Sequence, residues 1–121
     1  MVCLMGRKPA TDDASNLTPL MFQILVALSQ GARHGYAIMQ EIEERTAGAF
    51  PIGAGSLYRS IKQLVDAGFV AELTRKSSSH PQRRHYRITE AGRKRAAAEA
   101  RVFTDIADWA RDARLLKPRG A

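Results

Sequence analysis

The sequence predicts a mostly α-helical domain with a small β-hairpin and a long C-terminal helix. Three observations predict it. Apolar residues recur at helical spacing in three segments before residue 69. Two short alternating segments, FVAELTRK and RRHYRIT, flank the polar turn SSSHPQ. After Thr89 the pattern turns helical again and holds for roughly 27 residues at heptad spacing.

Residues 1–17 lack periodicity and are rich in small and polar types, so they read as a flexible arm. Thr18-Pro19 opens the first helix, a hydroxyl N-cap followed by proline where its missing N–H removes no bond. LMFQILVALSQ is apolar almost all round, as in a helix buried on several sides, and Gly31 ends it. A second helix starts near His34-Gly35, with Tyr36, Ile38, Met39 and Ile42 as its apolar side and Gly48 as its C′ residue. AFPIGA, with Pro51, is a turn into the third helix. There Leu57, Ile61, Leu64 and Val65 make one core-facing stripe, and Ser56, Arg59, Lys62 and Gln63 occupy the other face. Tyr58 falls at the edge of the stripe, and Gly68 closes the helix. In the hairpin, Ala71 and Leu73 alternate with Glu72 and Thr74, while Tyr86 and Ile88 alternate with His85 and Arg87. Each strand is therefore expected to have one apolar face.

The last helix opens at Glu90-Ala91-Gly92 and is expected to reach Leu116. Val102, Ile106, Trp109, Ala113 and Leu116 are spaced as a heptad seam, which Phe103, Ala107 and Ala110 widen. Such a helix is about 40 Å long, too long to lie wholly on a core of three short helices and a hairpin. Its seam calls for a second copy of the chain; the alternative is a helix folded back over its own domain. The resulting organisation is an arm at 1–17, a compact unit at 18–89, a dimerisation helix at 90–116 and a tail at 117–121.

Charge is unevenly placed. The chain carries 19 Lys+Arg against 12 Asp+Glu, a formal net of +7. Residues 1–55 have a net of −1, residues 56–89 a net of +5 and residues 90–121 a net of +3. A basic excess gathered on one helix and hairpin is the footprint that a polyanion requires, although a solvated basic surface kept for solubility has the same composition. On the nucleic-acid reading, Ser56, Tyr58, Arg59, Lys62 and Gln63 suit phosphates and base edges. Arg75, Lys76, Arg83 and Arg84 on the hairpin suit phosphates. The competing reading is a protein-interaction adaptor whose basic face meets an acidic partner.

Other classes fail on inventory. Cys3 is the only cysteine, which rules out an intrachain disulfide and fits a reducing cytoplasm. No apolar run approaches the roughly 20 residues that span a bilayer, and the N-terminal charges and Pro9 do not suit a signal peptide. His34, His80 and His85 have no cysteine or carboxylate at ligand spacing, so neither metal nor cofactor is expected. The Gly53-Ala54-Gly55-Ser56 run lacks the preceding strand of a phosphate loop, and no nucleophile and base assemble into an enzyme's site.

The order helix, helix, helix, hairpin, long helix is that of a winged helix-turn-helix with a dimerisation helix. HGYAIMQEIEERTAG, GSLYRSIKQLVDAGFV and RRHYRITEAGR, at these spacings, resemble the PadR-like bacterial transcriptional regulators, in their short subclass with a single C-terminal helix. The resemblance runs from about Leu17 to Trp109. It implies a homodimeric repressor on double-stranded, pseudo-palindromic operator DNA, with one recognition helix in each major groove. It also implies that Ser56 and Tyr58 contact phosphates. A small aromatic or amphipathic effector would weaken DNA binding from a site at or near the dimer interface. Trp109, which the seam assigns to dimer packing, would then wall the effector pocket, and Phe22 and Tyr36 are either core or pocket lining. The chain departs from the family pattern at Arg59, where proline is frequent, and at the wing turn, which lacks glycine. It departs again at His85, where an aromatic is common.

Overall fold

The structure, a computed structural model, describes residues 17–73 and 84–118. The arm before residue 17, the hairpin turn and the last three residues lie outside the described residues. The elements are α1 (Pro19–Leu28), β1 (Arg33–His34), α2 (Gly35–Arg45), α3 (Ala54–Asp66), β2 (Val70–Leu73), β3 (His85–Ile88) and α4 (Glu90–Asp112).

Local chemistry explains where the helices start. The Thr18 hydroxyl accepts the Met21 N–H at 3.1 Å, and the Met21 sulfur accepts the Thr18 N–H at 3.5 Å. This is a capping box in which a thioether stands where glutamate usually does. At α2 the cap is His34, whose Nδ1 accepts the Ala37 N–H at 3.1 Å. At α4 the Thr89 hydroxyl accepts the Gly92 N–H at 3.0 Å.

Three helices end in the same way. After α3, Gly68 (φ +84°) sends its N–H to Val65 and Phe69 sends its own to Leu64, a Schellman motif with glycine at the left-handed position. After α2 the left-handed C′ residue is Ala47 (φ 52°), and Gly48 follows it as C″, one position later than expected. α4 stops at Asp112 instead of Leu116, with Arg114 left-handed (φ 67°) and the Leu115 N–H on the Ala110 carbonyl. Its predicted last turn is therefore absent: Ala113 is the C-cap and Leu116 lies beyond the helix.

Among the described residues the sheet has three strands, not two, in the order β1-β3-β2, all antiparallel. Arg33 and His34 pair with Tyr86 and His85. Val70 lies opposite Ile88 and Glu72 opposite Tyr86, so the buried face of β2 begins with Val70. The expected apolar pair, Ala71 and Leu73, is half-buried on the reverse face, beside Arg87 and His85. One residue of register exchanges the two faces of a strand.

The core joins Ile24, Leu25 and Leu28 of α1, Ile38 and Ile42 of α2, Leu57, Ile61 and Leu64 of α3, and the sheet residues Val70, Tyr86 and Ile88. Tyr36, expected on the apolar side of α2, is 49% exposed instead. The start of α4 is fixed at the end of α3. The Thr89 hydroxyl donates to the Gly68 carbonyl at 2.7 Å, and the Thr89 N–H donates to the Phe69 carbonyl at 3.0 Å. Gly92 is buried against this joint; a Cβ there would collide with the Phe69 carbonyl oxygen and lie 2.9 Å from Ile88 Cγ1. Gly92→Ala therefore destabilises the domain by about 1–3 kcal/mol through overpacking, despite alanine's better helix propensity. Urea unfolding checks this, and a stabilised variant would show that the joint is not tight.

Candidate nucleic-acid interface

The amphipathic division of α3 places the site. Leu57, Ile61 and Leu64 are buried, and the opposite face exposes Ser56, Arg59, Lys62 and Gln63. These four positions recur at helical spacing along one side, as a rod presenting polar side chains to a groove requires. Lys62 reaches Asp66 at 3.4 Å in an exposed i,i+4 pair. On the sheet, Arg84 Nε lies 3.5 Å from the Glu72 carboxylate. Exposed pairs of this kind contribute about 0–1 kcal/mol, so either cation can exchange its carboxylate for a phosphate at small cost. Arg75, Lys76 and Arg83 lie outside the described residues.

Tyr58 differs from its neighbours on the helix. It is half-buried, packs on the core and lies against Gly35 at the start of α2. Burial pushes its phenol above the usual range. Tyr86 is also pushed up, first by burial and then by the Glu72 carboxylate, with Arg84 opposing.

Several other contacts are not signalled by residue spacing. His34 and His85 meet edge to face at 5.6 Å, and His85 Nδ1 is buried with no hydrogen-bond partner among the described residues. Among the described residues no group of three or more His, Cys, Asp or Glu converges on a metal position. Glu41 bridges Arg45 at 2.8 Å and Arg33 at 3.7 Å, and the bond from Arg45 holds its carboxyl below the usual range. A histidine just before a helical run is a recognisable capping signal, whereas the ring contact and the ion-pair bridge depend on tertiary placement.

On α4, Val102 (50% exposed), Ile106 (49%) and Trp109 (73%) face outward, as do Ala113 and Leu116 beyond the last turn. Phe103 is 41% exposed, but its ring stacks at 4.9 Å on Phe22 of α1. Phe22 also lines a cleft of about 280 Å³ between α1 and α2, with Val26, Ala27 and Ile42. Neither Trp109 nor Tyr36 lines that cleft.

Three helices, a small antiparallel sheet and an exposed polar face on the third helix define a winged helix-turn-helix. A family model described as the transcriptional regulator PadR-like family matches residues 24–98. That is more than half of the sequence, and the chain belongs to this family of transcriptional regulators, which are not enzymes. No curated protein shows a significant match to the sequence. Among solved structures, a transcriptional regulator from Clostridium thermocellum is similar with a TM-score of 0.68 at 22% identity, over 77% of this chain and 87% of that one. RosR of H. salinarum is similar at 0.60 and 28% identity, over 86% and 100%. Bacillus subtilis PadR, in complex with operator DNA, is similar at 0.59 and 23% identity, over 68% of this chain and 46% of that one. No helix among the described residues is long and apolar enough to cross a membrane.

The raised phenols set a pH response. A phenol ionises near pH 10 in the unfolded chain, and at a higher pH in the fold at both Tyr58 and Tyr86. Their stabilising contribution is complete below about pH 10 and is lost as pH rises through the folded values. Urea midpoints of Tyr86→Phe should therefore fall less steeply than those of the wild type between pH 9 and pH 11 (about one unit either side of the unfolded value). An unchanged slope would contradict this account.

Proposed function

We propose that the chain is a homodimeric repressor that reads operator DNA with α3 and is released by a small-molecule effector. The observation that carries the DNA reading is the exposed face of α3, where Ser56, Arg59, Lys62 and Gln63 stand opposite the buried stripe. The α3 helix enters the major groove, with Arg59 and Gln63 toward base edges and Ser56 and Lys62 toward phosphates. Arg84, with Arg75, Lys76 and Arg83 of the hairpin sequence, contacts the flanking backbone. The operator complex of Bacillus subtilis PadR, a protein of the same fold, supports this reading.

The outward Val102, Ile106 and Trp109 support self-association, since an apolar seam of this kind is normally covered. Two half-sites one helical turn apart, about 34 Å, follow from a two-fold dimer. The effector reading draws on family membership. Its site takes Phe22 from the α1 surface, Trp109 from the seam and Tyr36 from α2.

A gel shift with DNA from the region upstream of the chain's own gene tests the DNA reading. Affinity should fall with salt at a log–log slope of about −0.9 per neutralised phosphate, and Lys62→Glu should lower affinity for every sequence. Arg59→Ala or Gln63→Ala should cost about 1–3 kcal/mol and relax base preference. Absence of a shift at low salt would favour the adaptor with an acidic protein partner. For the dimer, sedimentation of Trp109→Lys should give monomers; an intact dimer would place the interface elsewhere.

A further inference from the structure

Two motifs that are separate in the sequence, His34-Gly35-Tyr36 and Gly55-Ser56-Leu57-Tyr58, meet in space. A Cβ at Gly35 would lie 2.5 Å from both Cε1 and Oη of Tyr58 and 2.8 Å from its Cζ. Gly35 has no left-handed φ, so backbone freedom does not explain the glycine. Gly35 is the first residue of α2, where helix propensity gives glycine no advantage over alanine, so propensity does not explain it either. What remains is space. Gly35 leaves a notch in the first turn of α2, and the phenol of Tyr58 fills it.

Both sides of the notch are held. The His34 cap fixes the first turn of α2 through Ala37. On α3, Leu57 is fully buried next to Tyr58, which fixes the helix face that Tyr58 leaves. The Tyr58 ring is itself half-buried against the core rather than directed outward with Ser56 and Arg59.

We propose that Tyr58 is a positioning residue. Its ring seats in the Gly35 notch and sets the angle of α3 against α2. Tyr58 then governs DNA recognition through the pose of Ser56, Arg59 and Gln63, and not through a bond from its own hydroxyl to a phosphate. Only that last step rests on the operator reading; the seat is a property of the folded chain alone.

Two measurements test it. The first is a thermal-unfolding cycle without DNA, using Gly35→Ala, Tyr58→Ala and the double variant. Gly35→Ala should destabilise the wild type and be neutral or stabilising once Tyr58 is alanine; additive effects would overturn the seat. The second is binding to the upstream DNA. Tyr58→Phe keeps the ring and should bind within about twofold of the wild type with the same salt slope, whereas Gly35→Ala should bind roughly tenfold more weakly. If Tyr58→Phe loses as much affinity as Tyr58→Ala, and its slope is shallower by about one phosphate, the hydroxyl contacts DNA directly and the proposal fails. If the wild type does not bind, the operator reading fails while the unfolding cycle still decides the seat.

Discussion

Thr89 uses one side chain to join two helices: its hydroxyl donates to the carbonyl of Gly68 and accepts the N–H of Gly92. The arrangement depends on glycine at both ends. Gly68 supplies the left-handed turn that brings Phe69 back under α3, and Gly92 lets the first turn of α4 close onto the Phe69 carbonyl. Because of this joint the helix proposed to read DNA and the helix proposed to pair with a second copy share a rigid origin. The Val70 and Ile88 pair buries its side chains just beneath it, and the rest of the sheet is registered from that pair.

Where periodicity was strong, the sequence was a reliable guide. The stripe of Leu57, Ile61 and Leu64 is fully buried, and its opposite face is exposed as expected. Thr18 and Gly68 each act at the helix end that their chemistry suggests. Readings that depended on a partner element were less secure. Two residues are too few to show alternation, so Arg33-His34 carried no strand signal until β3 lay beside them. In β2, Ala71 and Leu73 made an apolar alternation by themselves, but strand register is set across the ladder, and Val70 opposite Ile88 decides it. The end of α4 was hidden because Ala113, Leu115 and Leu116 are good helix formers and the left-handed residue is an arginine.

The site follows the same division. Which residues of α3 face outward was legible from spacing alone. That Tyr58 turns inward to meet Gly35 was not, since the contact joins two helices across an irregular turn. Nor did spacing indicate that Phe22 and Phe103 touch, although each lay on a recognisable apolar face. Through this ring pair α1 supports α4 near its middle, while the half of α4 beyond it stands away from the core with Trp109 exposed.

The joint at Thr89 also fixes a gear ratio. α4 has 23 residues and α3 has 13, lengths of about 34 Å and about 20 Å on either side of a common pivot. If the two helices turn as one body, a push of about 3 Å at the far end of α4 is a rotation of about 5°, which moves the far end of α3 by about 1.7 Å. A displacement of that size stretches a 2.9 Å hydrogen bond past its working range. The lever thus reduces the motion by nearly half, and what arrives at α3 is still enough to make or break a hydrogen bond of the proposed interface.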